Sequence, residues 1–304
     1  MAKGSEFTAS TTNHLCEALI EAGLPAGVLN NINGDAAKIG EEMLNNPALK
    51  KISFTGSTRV GKILMDGASR TNTKLSLEMG GNAPVIIADD VDVAAMAKSS
   101  VFAKMRNAGQ VCISPQRYFV HKDIYKNFVS VADENIRKIK VGYGWEADTK
   151  MGPLINQRQQ QMVLNIIDEA KASGAETVAG TAPQGKGWFV PPTLLTEIDA
   201  HNAAVNKEIF GPVLPLIPYG SKEEVVEWAN NTPYGLAAYV WTNNIQNAFY
   251  YSEALEFGMV GINEWLPQGV EAPFLGWKQS ALGAESGSEG LYEYMEKKLI
   301  SWGI

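Results

Sequence analysis

An α/β protein with a mostly parallel sheet covered by helices is the fold predicted for this chain, on three observations. Strand-like apolar runs alternate with helix-period segments along the sequence, the βαβ rhythm that lays helices over a parallel sheet. A length of 304 residues suffices for a sizeable core and for two domains. With 45% hydrophobic and 19% charged residues, and neither an internal repeat nor a low-complexity linker, the composition is that of an ordinary globular protein.

The elements follow in order. "TTNHLCEALIEAGLPAG" (11–27) sets Leu15, Leu19 and Ile20 on one helical stripe, with a cap at Thr11 or Thr12, a Gly/Pro stop and Cys16 as a core-face residue. "GVLNNING" (27–34) reads as a short strand and turn, "AKIGEEMLNN" as a helix, "ALKKISFTG" as a strand and "STRVGKILMDGAS" as a helix. "TKLSLEMGGNAPVIIADD" (73–90) is two strands broken by Gly80 and Gly81, where a domain boundary is expected. A helix over "DVAAMAKSSVFAKMRN" leads into "NAGQVCISPQR", and "QRYFVHKDIYKNFVSVADENIRKI" is a strand followed by a helix. "INQRQQQMVLNIIDEAKASGAETVAG" is a long helix ending near Gly174 with a strand behind it. "GWFVPPTLLTE", "LPLIPY", "KEEVVEWANN", "LAAYVWTN", "IQNAFYYSEALEFG" and "MVGIN" continue the alternation, and "LYEYMEKKLISWGI" (291–304) is a helix with an apolar tail.

Charge and composition exclude several classes. A net charge of −7 and a pI near 5.2, with no basic run, argue against a nucleic-acid partner, because neutralising phosphates needs a basic face. No apolar stretch reaches the length of a membrane span and "MAKGSEFTAS" has no signal-like core, so no membrane partner and a cytoplasmic address are expected. Cys16 and Cys112 are too few for a disulfide framework. His14, His121 and His201 have no spacing of a metal site or of a Ser-His-Asp set, so any cysteine chemistry must find its base among carboxylates or water.

Four segments could carry chemistry. Cys112 in "NAGQVC" is either a nucleophile or a small packed hydrophobe, and residue type alone favours packing. Gly56, Ser57 and Gly61 in "SFTGSTRVGK" follow a strand and open a helix, which is either a phosphate cradle or a plain strand-to-helix turn; the pattern is neither G-x-G-x-x-G nor a P-loop. Glu78 ends a strand ahead of two glycines, either facing a ligand at the carboxyl edge of a parallel sheet or standing in solvent. Glu208 in "NKEIFGPVLP", before the rigid Phe210-Gly211-Pro212 turn, is either aimed into a cleft or a surface residue.

Taken together, "FTGSTRVG", "LEMGGNAP", "NAGQVC", "MGPLIN", "PPTLL", "KEIFGPVLP", "YGLAAYVWT" and "GMVGIN" occur in the order and approximate spacing of the aldehyde dehydrogenase superfamily, including 34 positions from Glu78 to Cys112 (112 − 78). The resemblance runs from about Lys3 to the C-terminus. It implies an aldehyde dehydrogenase-like α/β fold with a partial Rossmann-type parallel sheet plus an α/β catalytic domain. The expected domains are the C-terminal part of a dinucleotide-binding domain over 1–80, a catalytic domain over 81–280, and a helix and tail over 281–304 returning to the cofactor domain or an oligomer interface.

By the same resemblance, Cys112 is the nucleophile that attacks an aldehyde to give a thiohemiacetal and then a thioester. Glu78 is the base that activates the deacylating water. Gly56 and Ser57 match the turn near a pyrophosphate, and Glu208, with Phe210 beside it, matches the group that holds the nicotinamide ribose. Lys3 and Glu6 in "KGSE" match the K-x-x-E segment at the adenosine ribose, where a carboxylate favours NAD over NADP; "GSEF" is also what a cloning junction encodes, and in that case Glu6 carries no such preference.

The departures from the family pattern shape the remaining expectations. The first βαβ part of the cofactor domain, the oxyanion-hole asparagine and the oligomerisation hairpin of the family are expected to be missing from this chain. Leu275 and Ala281 stand where glycines are usual, and Ala284 where an arginine is common. "GQVC", "VEAPF" and "GSEGLYEY" are most similar to the succinate-semialdehyde branch, with lactaldehyde-type enzymes close behind, and a small aldehyde as substrate and a homo-oligomer are expected. Arg117 either meets an acidic substrate or is a structural arginine. Two other readings stand beside oxidation: a catalytically silent homologue acting as a folded or partner-binding module, and a residual cysteine esterase.

Overall fold

The computed structural model describes residues 1–303. Two compact units share them, one made of Met1–Ile52 with Lys62–Leu75, the other of Ser53–Gly61 with everything from Ser76 onward. The seam therefore crosses two strands and a helix ahead of Gly80, and the residues after 281 belong to the larger unit.

The first unit carries α1 (Ala9–Glu21) and α2 (Ala36–Asn45), the start of β1 (Lys51–Thr55), most of α3 (Thr58–Ala68) and the start of β2 (Lys74–Glu78). Asp35 caps α2 by accepting from the amides of Ala37 and Lys38. α3 buries Leu64 and Ala68, four apart, and Gly67 lets it approach α2 closely, since a Cβ there would fall 2.5 Å from Leu44 Cδ1.

Two expectations fail in this unit. Cys16 is buried as predicted, but Leu15, Leu19 and Ile20 are exposed, because the one buried face of this helix is that of Cys16. The helix also begins at Ala9, after a Thr8 that makes no side-chain cap, rather than at Thr11 or Thr12. "GVLNNING" forms no strand beyond a bridge between Ala2 and Asn31, since its asparagines engage side chains and carbonyls of their own neighbourhood. Asn30 donates to Gly27 O, and Asn31 and Asn33 both donate to Asn13 Oδ1.

The second unit is the predicted α/β layer structure. In chain order it contains β3 (Ala83–Ile87), α4 (Val93–Met105), β4 (Pro115–His121), α5 (Lys122–Arg137), α6 (Gln157–Ala172), β5 (Glu176–Ala179) and β6 (Thr193–Thr196). Then come α7 (Ala203–Asn206), β7 (Val213–Tyr219), α8 (Lys222–Asn230), β8 (Tyr234–Gly235), β9 (Ala237–Trp241), α9 (Ile245–Ala254) and β10 (Met259–Ile262). Four two-residue strands, β11 (Phe274–Leu275), β12 (Trp277–Lys278), β13 (Ala281–Leu282) and β14 (Ala284–Glu285), precede α10 (Gly287–Tyr292).

Seven strands form one sheet in the order β10-β9-β3-β4-β7-β6-β5, parallel throughout except for the antiparallel β5–β6 pair. The central strands β3 and β4 are buried on both faces, apart from the half-buried His121 that ends β4, which is why "APVII" and "RYFV" read as unbroken runs. α5 lays Phe128, Ala132 and Ile136 onto the core at four-residue spacing. Asp92, Asn156, Ser221 and Asn244 cap α4, α6, α8 and α9 by accepting first-turn amides.

The predicted C-terminal helix over 291 onward is displaced: α10 ends at Tyr292, and Leu299, Ile300 and Trp302 are exposed. A helical apolar period does not hold a helix where no surface receives its face. No helix among the described residues is long and apolar enough to cross a membrane.

Candidate active site

The site residues of the second unit gather where the chain enters the sheet. Gly80–Gly81 precede β3, Cys112 precedes β4 and Glu208 with Phe210 precede β7, so the cluster lies at the amino ends of three adjacent parallel strands. Glu78 was expected at the carboxyl edge of a parallel sheet; it does end β2, but in a small sheet where β13 pairs antiparallel with it, Glu78 opposite Ala281.

Cys112 is carried by a strained loop. After α4 the chain turns through Asn107 (φ 49°), Ala108 (φ 53°) and Gly109 (φ 73°), three successive left-handed residues. Asn107 Nδ2 donates to Gln110 O at 2.9 Å, Gln110 Nε2 donates back to Asn107 O at 3.1 Å, and Gln110 Oε1 accepts from Ile155 N. Position 109 must be glycine, because a Cβ would fall 2.1 Å from Gly211 O. Tyr239, fully buried, donates its hydroxyl to Ile113 O at 2.6 Å and fixes the far side of the loop. The half-buried Cys112 thiol is pushed up by burial and by the charges of Glu78 and Glu208, while the Ile113 amide and its own pull it down.

Glu78 is held by a clamp at Ser280. Met79 N donates to Ser280 O at 2.8 Å, Ser280 Oγ donates to Gly80 O at 2.7 Å, and Gly235 N donates to Ser280 Oγ at 2.9 Å. These bonds give Ser280, the last residue of "PFLGWKQS" (273–280), a structural role. The Glu78 side chain is 3% exposed and its Oε2 has no hydrogen-bond partner. Burial, and then the charge of Glu285, push its pKa up to about 8. The turn touches the backbone of Cys112, since a Cβ on Gly81 would lie 2.6 Å from Cys112 O.

The cofactor-type residues divide between the units. Gly56 N donates to Glu78 O at 2.9 Å, and Ser57 Oγ accepts from Val60 N, so the serine side chain caps α3. Glu208 Oε1 accepts from Gly81 N at 3.1 Å, and a Cβ on Gly80 would lie 2.6 Å from Glu208 Oε2. Phe210 sits in the left-handed region, φ 47°, with its carbonyl accepting from Gln159 Nε2 at 2.8 Å. Lys3 and Glu6 lie in the first unit, where Lys3 Nζ stands 3.5 Å from Glu6 Oε2 and donates to Gly4 O.

Arg117 is the structural arginine. It is 1% exposed and spends Nε on Asn82 O, Nη1 on Trp228 O and Nη2 on Ala229 O, all within 3.0 Å, so it meets no acidic substrate. The cation that sequence reasoning missed is Arg106. It lines a cleft of about 550 Å³ together with Phe102, Val111, Ile113, Trp265 and Leu266, and Val111 and Ile113 flank Cys112. Lys98 also lines this cleft and no acidic residue does. At the other end of β3 and β4, Asp89, His121 and Asp123 bring ligand-type atoms within 4.8 Å of one another, although His121 Nδ1 already accepts from Asp123 N.

A half-buried thiol and a buried carboxyl beside glycine-built backbone, at the amino ends of an α/β sheet, define an architecture shared with enzymes that oxidise aldehydes. A model of the aldehyde dehydrogenase family matches residues 1–300, and the chain belongs to that family. It is 42% identical over 302 residues to the mitochondrial succinate-semialdehyde dehydrogenase of Oryza sativa subsp. japonica, covering 99% of this chain and 57% of the relative. It is 38% identical over 291 residues to the succinate-semialdehyde dehydrogenase [NADP(+)] GabD of Escherichia coli K12, covering 95% of this chain and 60% of the relative. The NAD+ complex of the Bacillus cereus aldehyde dehydrogenase superposes with a TM-score of 0.93 at 38% identity, over 97% of this chain and 60% of that one. The chain thus spans about three fifths of the length of the curated relatives it matches.

Proposed function

We propose that the protein oxidises a small aldehyde bearing a distant carboxylate, of the succinate-semialdehyde type, to the acid, with NAD as oxidant. The observation that carries this reading is that Cys112 lies between Val111 and Ile113, which line the Arg106 cleft, and close enough to Glu78 for that carboxyl's charge to act on its thiol. The residues present fit a nicotinamide nucleotide: Gly80 leaves the space beside Glu208 Oε2 that a Cβ would fill, and Gly56 and Ser57 stand at the N-terminal end of α3, where the helix dipole favours a phosphate. Glu208 would hold the nicotinamide ribose with Phe210 beside it, and Lys3 and Glu6 the adenosine ribose, where the Glu6 charge disfavours a 2′-phosphate. When bound, the nicotinamide supplies a two-electron acceptor for the aldehyde hydrogen.

The chain's own residues do the rest. The Cys112 sulfur, once its proton has left, bonds to the aldehyde carbon, and the amides at Cys112 and Ile113 face that sulfur. After oxidation the carbon is held as a thioester. Ionised Glu78 takes a proton from water, whose oxygen bonds to that carbon and releases the acid and the thiol. Arg106 orients the substrate by its far carboxylate, and the apolar cleft wall excludes water from the chain between.

The relatives whose names include NADP make cofactor choice a direct test. Reduction followed at 340 nm with succinate semialdehyde is expected with NAD in preference to NADP, and lost in Cys112→Ala. A reaction that persists in Cys112→Ala refutes the reading. A homo-oligomer is part of the same proposal, and sedimentation velocity tests it.

A further inference from the structure

One fully buried charge has no part in the chemistry above. Lys104 lies in the last turn of α4 with 0% exposure, and its ammonium donates to Ser114 Oγ at 3.3 Å. An ammonium carries three donors and is costly to bury without an opposite charge. Glu208 is the opposite charge that acts on it, without a direct ion pair: the ammonium and the carboxylate each favour the other's ionised form, although burial still raises Glu208 overall. Burial draws the ammonium down to about 7 and Glu208 opposes it, so the lysine's charge depends on this neighbour.

Both arms from Lys104 end on the nucleophile loop. Ser114 is two residues past Cys112 in sequence. Glu208 accepts from Gly81 N at 3.1 Å, and Gly81 rests its Cα against Cys112 O so closely that a Cβ would stand 2.6 Å away. We propose that Lys104 is a positioning residue of this site: its ammonium holds Ser114 by a hydrogen bond and its buried charge steadies Glu208, which in turn holds the Gly80–Gly81 turn against the Cys112 carbonyl. The proposal rests on the reading of Cys112 as the nucleophile and assigns Lys104 no contact with the reacting atoms.

The experiment is a double-mutant cycle on the purified full chain: Lys104→Met, Glu208→Gln and the pair, read by thermal midpoint and by the rate at which iodoacetamide alkylates Cys112, followed by intact mass. Lys104→Met is expected to lower the midpoint by about 10 °C and to raise the alkylation rate about tenfold, because Glu208 is left buried without its partner charge. The double variant is expected to lose less than the sum of the singles. A core variant with a matched midpoint loss, Ile136→Ala, should leave the alkylation rate unchanged. Losses that add across the cycle, or an alkylation rate that Ile136→Ala raises as much as Lys104→Met, overturn the proposal.

If Lys104→Met does not fold, the double variant must; a double variant that also fails refutes the pairing. The readouts use neither substrate nor cofactor. Coupling without aldehyde oxidation by the unmodified chain would sink the functional reading alone, and oxidation with no coupling would sink the positioning role alone.

Discussion

Replacing Glu78 by glutamine tests the candidate base through a property that needs no substrate. In the folded chain this carboxyl keeps its proton to about pH 8, whereas an ordinary carboxyl releases it near 4.5. Between those values the native state binds one proton more than the unfolded chain, so stability falls as pH rises, by at most about 1.4 kcal/mol per pH unit and about 5 kcal/mol across the window. Glutamine has the same shape and does not titrate. Wild type and Glu78→Gln should therefore unfold at similar urea concentrations at pH 5, with the variant progressively the more stable toward pH 8.5. The same shift sets the chemistry: only about one chain in ten carries the ionised base at pH 7, so thioester hydrolysis should rise toward pH 8 and then level. Glu78→Gln should slow that step by about 10²–10³ while leaving the initial burst of p-nitrophenol from p-nitrophenyl acetate. Parallel pH dependences of stability in the two proteins would refute the buried, proton-holding Glu78.

Arg106→Ala should raise KM for succinate semialdehyde about 30-fold and leave KM for an uncharged aldehyde of equal length unchanged, measured side by side. Arg117→Met, which strips donors from three buried carbonyls, should cost about 3 kcal/mol or more in urea unfolding, and a KM effect without that loss would reverse the roles of the two arginines. Gly109→Ala should destabilise by more than about 2 kcal/mol, since it adds a left-handed alanine and a clash with Gly211 O; a thermal melt at the wild-type midpoint would contradict the loop geometry. Alkylation of Cys112 in the cofactor-free chain should still be accelerating above pH 9, because burial holds the thiol above its ordinary value; a plateau near neutrality would show a preformed thiolate.

The order of strands and helices in the larger unit was legible because "APVII" and "QRYFVH" are apolar enough to be central parallel strands, and the segments between them carry a single apolar face. The stripe on α1 misled because periodicity marks a face and does not supply the surface that covers it. In the site, the glycines around Glu78, Cys112 and Glu208 were visible as places where backbone meets backbone, and the structure shows what each one touches. The charges were harder to assign. Arg117 and Arg106 both flank Cys112 in sequence, and only the carbonyls of Asn82, Trp228 and Ala229, 35 to 112 residues away along the chain, decide which is spent. Lys104 reads as a surface helix lysine until α4 is found to lie against the sheet.

That burial explains why the site needs its charges arranged in layers. The Glu78 carboxyl is raised to about 8 and the Cys112 thiol stands above its ordinary 9, so at neutral pH both groups rest uncharged and moving the thiol proton to ionised Glu78 is uphill. Two further carboxylates, Glu285 beside Glu78 and Glu208 beside the thiol, deepen that resting state, because each disfavours a new negative charge. A positive charge brought next to the sulfur reverses the balance by favouring the thiolate. On the proposed function, the Cys112 thiol would then stay quiet until nucleotide and aldehyde are in place, and the charge of Lys104 opposes, without cancelling, the burial that raises Glu208.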